Sequence, residues 1–361
     1  MTRPLLSALL ATTLVLPGLP VRAADYLLAP VRPNKLVIVS ADRMEIDNVV
    51  DLPEDAGPLP GTPVVSADGK SAFVNIHKYE SIVKVDLVSG ETLARVDMSS
   101  EGERVKSLFG LDLSPDGTTL AVYQSPVKLG MTSYEVEPTR IAFYDAGTLE
   151  LKSTVEAPRQ ITLLMYSKDG SKLYGMGRAM HVFDAETGAE IDTLPIQTWE
   201  AETYLQPDVL DVWSQFESSG MMVTPFYTAR ADMSLEDPEA WRTGMLTLDL
   251  ETGAMDMREV RIMDVFYFST AASPDKTRAY GAYNVLESFD LEKNASIKRV
   301  SLPHSYYSVN VSSDGSTVWL GGALSDLSAY DAETLEKKGQ VDIPGGASMS
   351  LSSIRMFTRD E

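Results

Sequence analysis

The stretch Phe183-Asp184-Ala185-Glu186-Thr187-Gly188-Ala189 is one of seven copies of a hairpin pattern that decides the fold. In each copy, an apolar run is followed by an acidic or polar turn that ends in Gly, Leu or a close substitute. Another short apolar run follows the turn. The turns are anchored at Ser40, Asp86, Asp145, Asp184, Asp249, Asp290 and Asp331. The first and last anchors are 291 residues apart, and each of the six steps is about 48 residues long, within the range of propeller blades. The spacing predicts a seven-bladed β-propeller.

A second pattern, Ser-x-Asp-Gly followed by an apolar run, alternates with the first. It occurs at Ser66, Ser114, Ser167 and Ser312, with a variant at Ser273-Pro274-Asp275-Lys276 and a degenerate copy at Glu217-Ser218-Ser219-Gly220. Asp followed by Gly favours tight hairpin turns, because Gly accepts a positive φ and Asp bonds to its own backbone. Two tight turns per blade predict four antiparallel strands, A to D along the chain, and an all-β fold.

Both ends of the chain contain strand-like runs, at 25–29 and 35–39 and again at 348–357. Pairing the two ends in one blade would remove the open edges that make sheets associate. We therefore expect the N- and C-terminal strands to close the ring.

The first 23 residues have the features of a secretory signal peptide. Arg3 precedes a largely apolar run from Leu5 to Leu16, and Pro17 and the small residue Ala23 follow it. A membrane-spanning helix needs about 20 apolar residues, more than this run provides. We predict cleavage near Ala23, export to the periplasm without a membrane span, and a single propeller domain over residues 24–361.

The composition is acidic and contains no cysteine. The formal net charge is −21, and it becomes −23 when Arg3 and Arg22 leave with the signal peptide. This charge disfavours nucleic acid and anionic membranes as partners. Without cysteine the chain has no thiolate ligand, no cysteine nucleophile and no Cys-x-x-Cys-His attachment site for c-type haem.

Tight turns on one face leave the remaining connections on the opposite face, where their lengths are uneven. The long segments cover 124–140, 197–209 and 227–244 and contain or adjoin Trp199, Tyr204, Trp213 and Trp241. Loops on a rigid scaffold often carry function, so we expect this loop-rich face to bind a partner or ligand. Tolerated variation in surface loops is the alternative explanation.

The innermost strands start on the loop-rich face, and polar groups that converge there would form a funnel of the kind that binds ligands. The positions are Thr62, Lys106, Arg159, Gln160, Gln206, Asp208, Asp264, Phe266, Tyr267, His304, Tyr306 and Ser348. The aromatic residues have a plainer alternative role, which is to fill the wedge between blades. This alternative applies to Phe266, Tyr267, Phe268, Tyr306 and Tyr307.

No set of residues has the spacing of a catalytic or metal site. The three histidines, His77, His181 and His304, are far apart, and we find no phosphate-binding loop or nucleophile elbow. A hydrolase with a metal at the axis would need several carboxylates there, and only Asp208 and Asp264 qualify. We assign no catalytic, cofactor-binding or metal-binding residue to this chain.

Several longer segments resemble the β subunit of bacterial quinohemoprotein amine dehydrogenases. One reads Met257-Arg258-Glu259-Val260-Arg261-Ile262-Met263-Asp264-Val265-Phe266-Tyr267-Phe268, and the others cover 201–213, 217–230, 283–300 and 302–357. The similarity extends over the whole mature chain. These segments are more specific than the Asp-Gly turns, which any propeller shares.

The resemblance implies a periplasmic αβγ complex. In that family the α subunit carries two c-type haems, the γ subunit carries cysteine tryptophylquinone, and the seven-bladed β subunit supports γ and helps to wall the substrate cavity. Primary amines are deaminated oxidatively to aldehydes and ammonia, and electrons pass through the haems to a periplasmic acceptor. The quinone and the catalytic base belong to γ, so no catalytic residue transfers to this chain.

On this basis we expect a set of residues on the loop-rich face to lie near the substrate cavity or the γ subunit. The set is Trp199, Tyr204, Asp264, Phe266, Tyr267, His304 and Tyr306. Two other functions stay open from the sequence. One is a free-standing exported propeller that binds a protein or a glycan, and the other is a metal-dependent hydrolase centred on the axis.

Overall fold

The computed structural model describes residues 23–57, 59–197, 199–200, 202–209, 215–349 and 353–360. Most of the predicted signal peptide (1–22) and Trp213 lie outside these residues. The described residues form seven antiparallel sheets, the blades of a β-propeller, which confirms the predicted fold class. The helical residues among them are confined to short 3₁₀ turns, none with the length and apolar character needed to cross a bilayer.

The strands of the first three blades follow in chain order. Blade 1 begins with β1 (Ala23–Val31), β2 (Lys35–Ser40) and β3 (Glu45–Asp51). Blade 2 comprises β4 (Pro63–Val65), β5 (Ser71–Ile76), β6 (Ser81–Asp86) and β7 (Thr92–Asp97). Blade 3 comprises β8 (Glu103–Lys106), β9 (Leu111–Leu113), β10 (Thr119–Leu129), β11 (Tyr134–Val136), β12 (Arg140–Asp145) and β13 (Leu151–Glu156).

The remaining blades each have four strands. Blade 4 comprises β14 (Leu163–Tyr166), β15 (Lys172–Met176), β16 (Ala179–Asp184) and β17 (Glu190–Pro195). Blade 5 comprises β18 (Asp208–Val209), β19 (Met221–Ala229), β20 (Trp241–Asp249) and β21 (Met255–Ile262). Blade 6 comprises β22 (Ser269–Ala272), β23 (Arg278–Ala282), β24 (Val285–Asp290) and β25 (Ala295–Ser301). Blade 7 comprises β26 (Ser308–Val311), β27 (Thr317–Gly321), β28 (Asp326–Asp331) and β29 (Lys337–Asp342), and β30 (Arg355–Asp360) returns to blade 1.

The seven hairpin copies are the turns between strands C and D, and one backbone feature unites them. In the turn after Asp86, the carboxylate accepts hydrogen bonds from the amides of Val88 and Ser89 at 2.8 and 2.7 Å. Four residues after each anchor the backbone has a positive φ. The residues at this position are Met44, Gly90, Leu149, Gly188, Gly253, Asn294 and Leu335. The pattern therefore marks a left-handed turn position, which glycine occupies in three of the seven copies.

The Ser-x-Asp-Gly copies are the turns between strands A and B. In the first copy the Ser66 hydroxyl donates to Asp68 Oδ1 at 2.6 Å, and the amide of Lys70 donates to the same oxygen at 3.0 Å. Gly69 has φ +68° and its Cα lies against the backbone of Thr358, where a side chain would collide. Both kinds of tight turn lie where the sequence predicts them.

The ring is closed by the two ends of the chain, as predicted. β30 is the innermost strand of blade 1 and pairs with β1 in an antiparallel register from Ala23 opposite Asp360 to Leu28 opposite Arg355. The Tyr26 and Phe357 rings stack across the pair at 5.6 Å. The closing strand starts later than the expected range of 348–357, because Ser348 belongs to the preceding connection.

Two of the long segments expected as loops are partly strand. In blade 3, β10 continues beyond the blade and pairs with β8 and β11, forming a three-stranded arm. In blade 5, β19 and β20 pair over nine residues, from Met221 opposite Asp249 to Ala229 opposite Trp241. Antiparallel pairing satisfies backbone groups that an irregular loop would leave to water. The insertion in blade 3 therefore extends strand B and adds two short strands, and the one in blade 5 extends strands B and C.

A buried carboxylate organises blade 6. Glu287 on β24 has no solvent exposure, and it accepts hydrogen bonds from Arg261 at 2.7 Å, Arg299 at 2.5 Å and the Tyr267 hydroxyl at 2.6 Å. Asp264 completes the charge balance through Arg299 at 2.9 and 3.1 Å. Burial alone would raise the pKa of Glu287, but these hydrogen bonds lower it to about 2.

Leu27 tests the closure of the ring. It is fully buried in a cluster that joins blades 1 and 7, and it lies opposite Met356 of β30. We expect Leu27→Ala to lower the free energy of unfolding by about 2–5 kcal/mol through the lost contacts and the cavity. The matched variant Leu93→Ala, at a half-exposed site on β7, should change it by less than about 0.5 kcal/mol. Urea denaturation measures both values, and an equal loss of unfolding free energy in the two variants would contradict the burial of Leu27 at the closure of the ring.

Glu287 tests the buried network through pH. Because its pKa is lower in the folded state, its stabilisation is complete above the ordinary pKa of about 4.5 and is lost as the pH falls towards 2. At pH 7 we expect Glu287→Gln to lower the free energy of unfolding by about 1.5–3 kcal/mol, since it removes the charge that accepts hydrogen bonds from the partly exposed Arg261 and Arg299. The difference in unfolding free energy between this variant and the wild type, measured by urea denaturation, should become smaller below pH 4.5. Glu292→Gln, in the exposed turn after β24, is the control, and a pH-independent difference for Glu287→Gln would contradict the assignment.

Candidate functional site

A cluster of aromatic rings lies on the loop-rich face, where the connections into β22 and β26 meet. Phe266 contacts Phe268 at 5.1 Å, Phe268 contacts Tyr283 and Tyr307 at 4.7 Å each, and Tyr283 stacks on Tyr307 at 6.2 Å. All four rings are half-buried. We call Phe266, Phe268, Tyr283 and Tyr307 the loop-face aromatic surface.

A buried tyrosine fixes this surface from below. The Tyr227 ring stacks on Phe266 at 4.9 Å. Its hydroxyl donates to the carbonyl of Tyr267 at 3.0 Å and accepts from the amide of the same residue at 2.7 Å. Burial raises the pKa of Tyr227, so the hydroxyl keeps its proton for this role. The chain is therefore held firmly at the point where Phe266 and Phe268 project.

Trp199 and Tyr204 lie on the other side of blade 5. The Trp199 ring contacts Tyr204 at 5.7 Å and Phe226 at 5.6 Å, and its Nε1 donates to the carbonyl of Leu205 at 3.3 Å. Phe226 and Tyr227 are neighbours on β19, and successive side chains in a strand point to opposite faces. The structure thus separates Trp199 and Tyr204 from the loop-face aromatic surface.

His304 and Tyr306 converge on one carboxylate. His304 Nε2 lies 2.8 Å from Asp326 Oδ1, while the hydroxyls of Tyr306 and Ser328 donate to Oδ2 at 2.6 and 2.9 Å. Burial, with the hydrogen bond to Asp326, raises the pKa of Tyr306. A serine nucleophile needs direct contact with its base, but Ser328 and His304 hold opposite oxygens of the carboxylate. The geometry is that of a support for the connection into β26.

Asp264 and Tyr267 belong to the Glu287 network. Asp264 is exposed but ion-paired, and the Arg299 hydrogen bond holds its pKa below the usual range. Tyr267 and Tyr306 have no exposed surface, so neither offers a contact surface to a partner. Of the seven candidates, Phe266 alone joins the loop-face aromatic surface; Phe268 and Tyr307, predicted only as packing residues, complete it with Tyr283.

The expected polar funnel is divided among several places. Gln160, Gln206 and Asp208 line a shallow cleft between blades 4 and 5 of about 430 Å³, and Arg159 lines a second cleft between blades 3 and 4 of about 400 Å³. Lys106 lies in β8, within the arm, and so is not at the start of an innermost strand. Within the described ranges, no group of three or more His, Asp or Glu side chains is placed to hold a metal ion.

Another cavity, of about 450 Å³, lies at the opposite end of the ring, where the innermost strands finish in their tight turns. Strand ends from blades 1 to 5 and Ser313 of blade 7 surround it, and we call it the axial cavity. The residues that line it include Val64, Asp112, Leu113, Tyr166, Lys168, Phe216, Glu217, Leu250, Arg355 and Phe357. None of the seven site candidates predicted from the sequence lines this cavity.

Arg355 crosses the ring beside the axial cavity. It is 3 % exposed, and its guanidinium donates to the Pro63 carbonyl of blade 2 at 3.2 Å and to Gln215 Oε1 of blade 5 at 2.9 Å. Glu217 Oε1 lies 2.8 Å from the same group, and the ring of Phe216 lies 5.8 Å from it. The positive charge is thus matched by one carboxylate.

Asp112 is the second carboxylate at the axial cavity. Oδ1 accepts from the amide of Leu113 at 2.9 Å, and Oδ2 accepts from the amide of Tyr166 on the next innermost strand at 2.7 Å. Part of its surface faces the cavity, and the residue is half-buried. Burial and, to a smaller extent, the Glu217 carboxylate raise the pKa of Asp112, while the two amides and Arg355 lower it, and the net result is a pKa of about 7.

The axial residues have a sequence signal that becomes clear when blades are aligned on the first residue of Ser-x-Asp-Gly. Two residues before that position stand Val64, Asp112, Met165, Gln215, Ala271 and Asn310. Three of the six are polar in strands that are otherwise apolar, and all three form hydrogen bonds between blades.

No protein-family model matches this sequence, and no curated protein matches it significantly. Many solved structures share its fold. Hydrazine synthase from Kuenenia stuttgartiensis is 14 % identical with a TM-score of 0.59, over 80 % of this chain and 86 % of that one. A functionally unknown protein from Desulfotomaculum acetoxidans DSM 771 is 13 % identical with a TM-score of 0.60, over 93 % and 99 %. The dihydro-heme d1 dehydrogenase NirN is 15 % identical with a TM-score of 0.53, over 94 % and 77 %. At these identities the likeness establishes the propeller fold alone.

Proposed function

We propose that this chain is the propeller subunit of an exported amine dehydrogenase of the quinohemoprotein type. In this proposal it holds no cofactor, docks a small quinone-bearing γ subunit on its loop-rich face and helps to wall the cavity for a primary amine. A di-haem α subunit takes the electrons and passes them to a periplasmic acceptor. The fold is compatible with this role, since hydrazine synthase and a dihydro-heme d1 dehydrogenase also contain it.

The loop-face aromatic surface carries the proposal. Phe266, Phe268, Tyr283 and Tyr307 all fall in the segments that resemble the amine dehydrogenase β subunit. Half-buried rings that are held in place from below lose little conformational freedom when a partner covers them, and aromatic residues are enriched among those that dominate binding energy. The γ subunit is the partner that the resemblance implies.

The absence of cysteine from this chain agrees with the proposal that the partner subunits carry the haems and the quinone. A c-type haem is attached through cysteine, and the quinone of this family is bonded to one, so neither group can be anchored covalently to a chain without cysteine. Reactive chemistry would then have to reside on the partner subunits. The chain itself would supply a rigid wall and an aromatic docking surface.

The first experiment compares the chain alone with the chain expressed beside its neighbouring reading frames. We expect the isolated mature chain to show no haem absorbance and no oxidation of a primary amine with a dye acceptor. Co-expression should yield a complex that contains a two-haem protein and a small quinone protein and that oxidises amines. Amine turnover by the chain alone would contradict the proposal. Purification of the chain without such partners from its native source would favour a free-standing binding propeller.

The second experiment tests the docking surface. We expect Tyr283→Ala and Tyr307→Ala each to weaken γ binding by about 1–2 kcal/mol, or roughly 5- to 30-fold in Kd. Tyr283→Phe and Tyr307→Phe keep the rings and serve as matched controls that should bind nearly as wild type. The measurement is titration of each folded variant with the quinone subunit. Unchanged affinity for both alanine variants would remove this surface from the interface.

A further inference from the structure

The axial cavity contains an acidic charge that no basic side chain balances. Arg355 is matched by Glu217, and Lys168 at the rim lies 3.3 Å from Glu251. Within the described part of the chain, Asp112 forms no ion pair, and its two oxygens accept only the amides of Leu113 and Tyr166. With Glu251 counted beside the Lys168 that it pairs, the charged groups in and around the cavity sum to −1 when Asp112 is ionised.

The inter-blade hydrogen bond of Asp112 does not require this charge. Asn310 occupies the equivalent position in blade 7, where its Oδ1 accepts from the amide of Met356 and its Nδ2 donates to the carbonyl of Ile354, both at 3.1 Å. A neutral amide thus joins two innermost strands there. A carboxylate at position 112 costs desolvation that an asparagine would avoid, so its charge needs another explanation.

The rest of the cavity wall is suited to an apolar body. Val64, Leu113, Phe216, Leu250 and Phe357 line it, and its volume of about 450 Å³ lies within the range of small-molecule sites. Aromatic faces attract cations as well as apolar groups. Two rings and one unbalanced carboxylate in an apolar wall are the elements that recognise an organic ammonium ion.

We propose that the axial cavity binds a small monovalent organic cation, with its ammonium group against Asp112 and its apolar body against Phe216 and Phe357. An anion would meet both Asp112 and Glu217. Ca²⁺ and Mg²⁺ prefer six or more oxygen ligands, one unpaired carboxylate falls well short of that number, and no group of three potential metal ligands occurs among the described residues. This site lies at the opposite end of the ring from the loop-face aromatic surface, and the inference does not depend on the proposed amine dehydrogenase.

Binding should depend on pH through Asp112. The titratable and charged groups around it are Glu217 before β19, Arg355 of β30, Lys168 after β14 and the Tyr166 hydroxyl on β14, whose pKa is raised by burial. With a pKa of about 7 in the free protein, the carboxylate is mostly protonated at pH 6 and mostly ionised at pH 8. A permanently charged ligand should therefore bind about tenfold more tightly at pH 8 than at pH 6.

The experiment is calorimetric titration of the isolated mature chain, without other subunits. The ligands are benzylammonium, the neutral benzyl alcohol of similar shape, phenylacetate, and benzyltrimethylammonium, whose charge does not change with pH. We expect benzylammonium to bind at least tenfold more tightly than benzyl alcohol at pH 8, and phenylacetate to bind least. Benzyltrimethylammonium should show the tenfold gain between pH 6 and 8. Equal affinities for benzylammonium and benzyl alcohol, or no binding of benzylammonium at about 10 mM, a level at which specific sites are filled, would overturn the proposal.

Variants assign the effect to the carboxylate. Asp112→Asn should abolish the preference for benzylammonium over benzyl alcohol and remove the pH dependence, while the precedent of Asn310 predicts that it folds. Glu186→Gln removes one negative charge from an exposed turn of blade 4 and is the matched control, with wild-type binding. Glu217→Gln removes the carboxylate that balances Arg355, so it should also weaken cation binding. If Asp112→Asn does not fold, the Glu217→Gln variant provides the test. A full tenfold preference retained by either cavity variant would contradict the site.

Discussion

The pairing of β1 with β30 is the contact on which the ring depends. Without β30, blade 1 would have three strands and an open inner edge, and the apolar clusters that join it to blades 2 and 7 would lose Phe357 and Met356. The same strand begins with Arg355, whose guanidinium reaches Pro63 in blade 2 and Gln215 in blade 5. Closing the ring and bridging its interior are therefore done by one strand.

The tight turns could be predicted because their chemistry is local. An Asp that accepts from amides two and three residues ahead, followed by a residue with positive φ, is specified within a few positions of sequence. This is why the spacing of Asp86 and its equivalents gave the number of blades, and why even Leu149 and Leu335 were recognised as substitutes for glycine. Local rules of this kind repeat once per blade and tolerate differences elsewhere.

The axial cavity could not be predicted in the same way, because its residues come together only when the ring closes. Glu217 stands where other blades have the serine of Ser-x-Asp-Gly, and the sequence alone makes that copy seem merely degenerate. In the fold, the departure supplies the carboxylate that meets Arg355. Likewise, the candidates Trp199 and Tyr204 precede blade 5 in the chain and Phe266 follows it, and the alternation of Phe226 and Tyr227 along β19 places the two groups on opposite sides of that blade.

The buried Glu287 and the half-buried Asp112 separate a structural charge from a functional one. Both are taken from water, which by itself raises a carboxyl pKa. Glu287 receives hydrogen bonds from two guanidinium groups and a tyrosine, so its pKa falls to about 2 and its charge stabilises the blade. The two amide hydrogen bonds of Asp112 do not offset its burial beside a second carboxylate, so its pKa rises to about 7. A carboxylate that is already paired with guanidinium groups, as Glu287 is, would gain little binding energy from a cationic ligand. A carboxylate without an ion pair beside an open cavity would gain the most. For this reason we infer that Asp112 marks the axial cavity as a binding site.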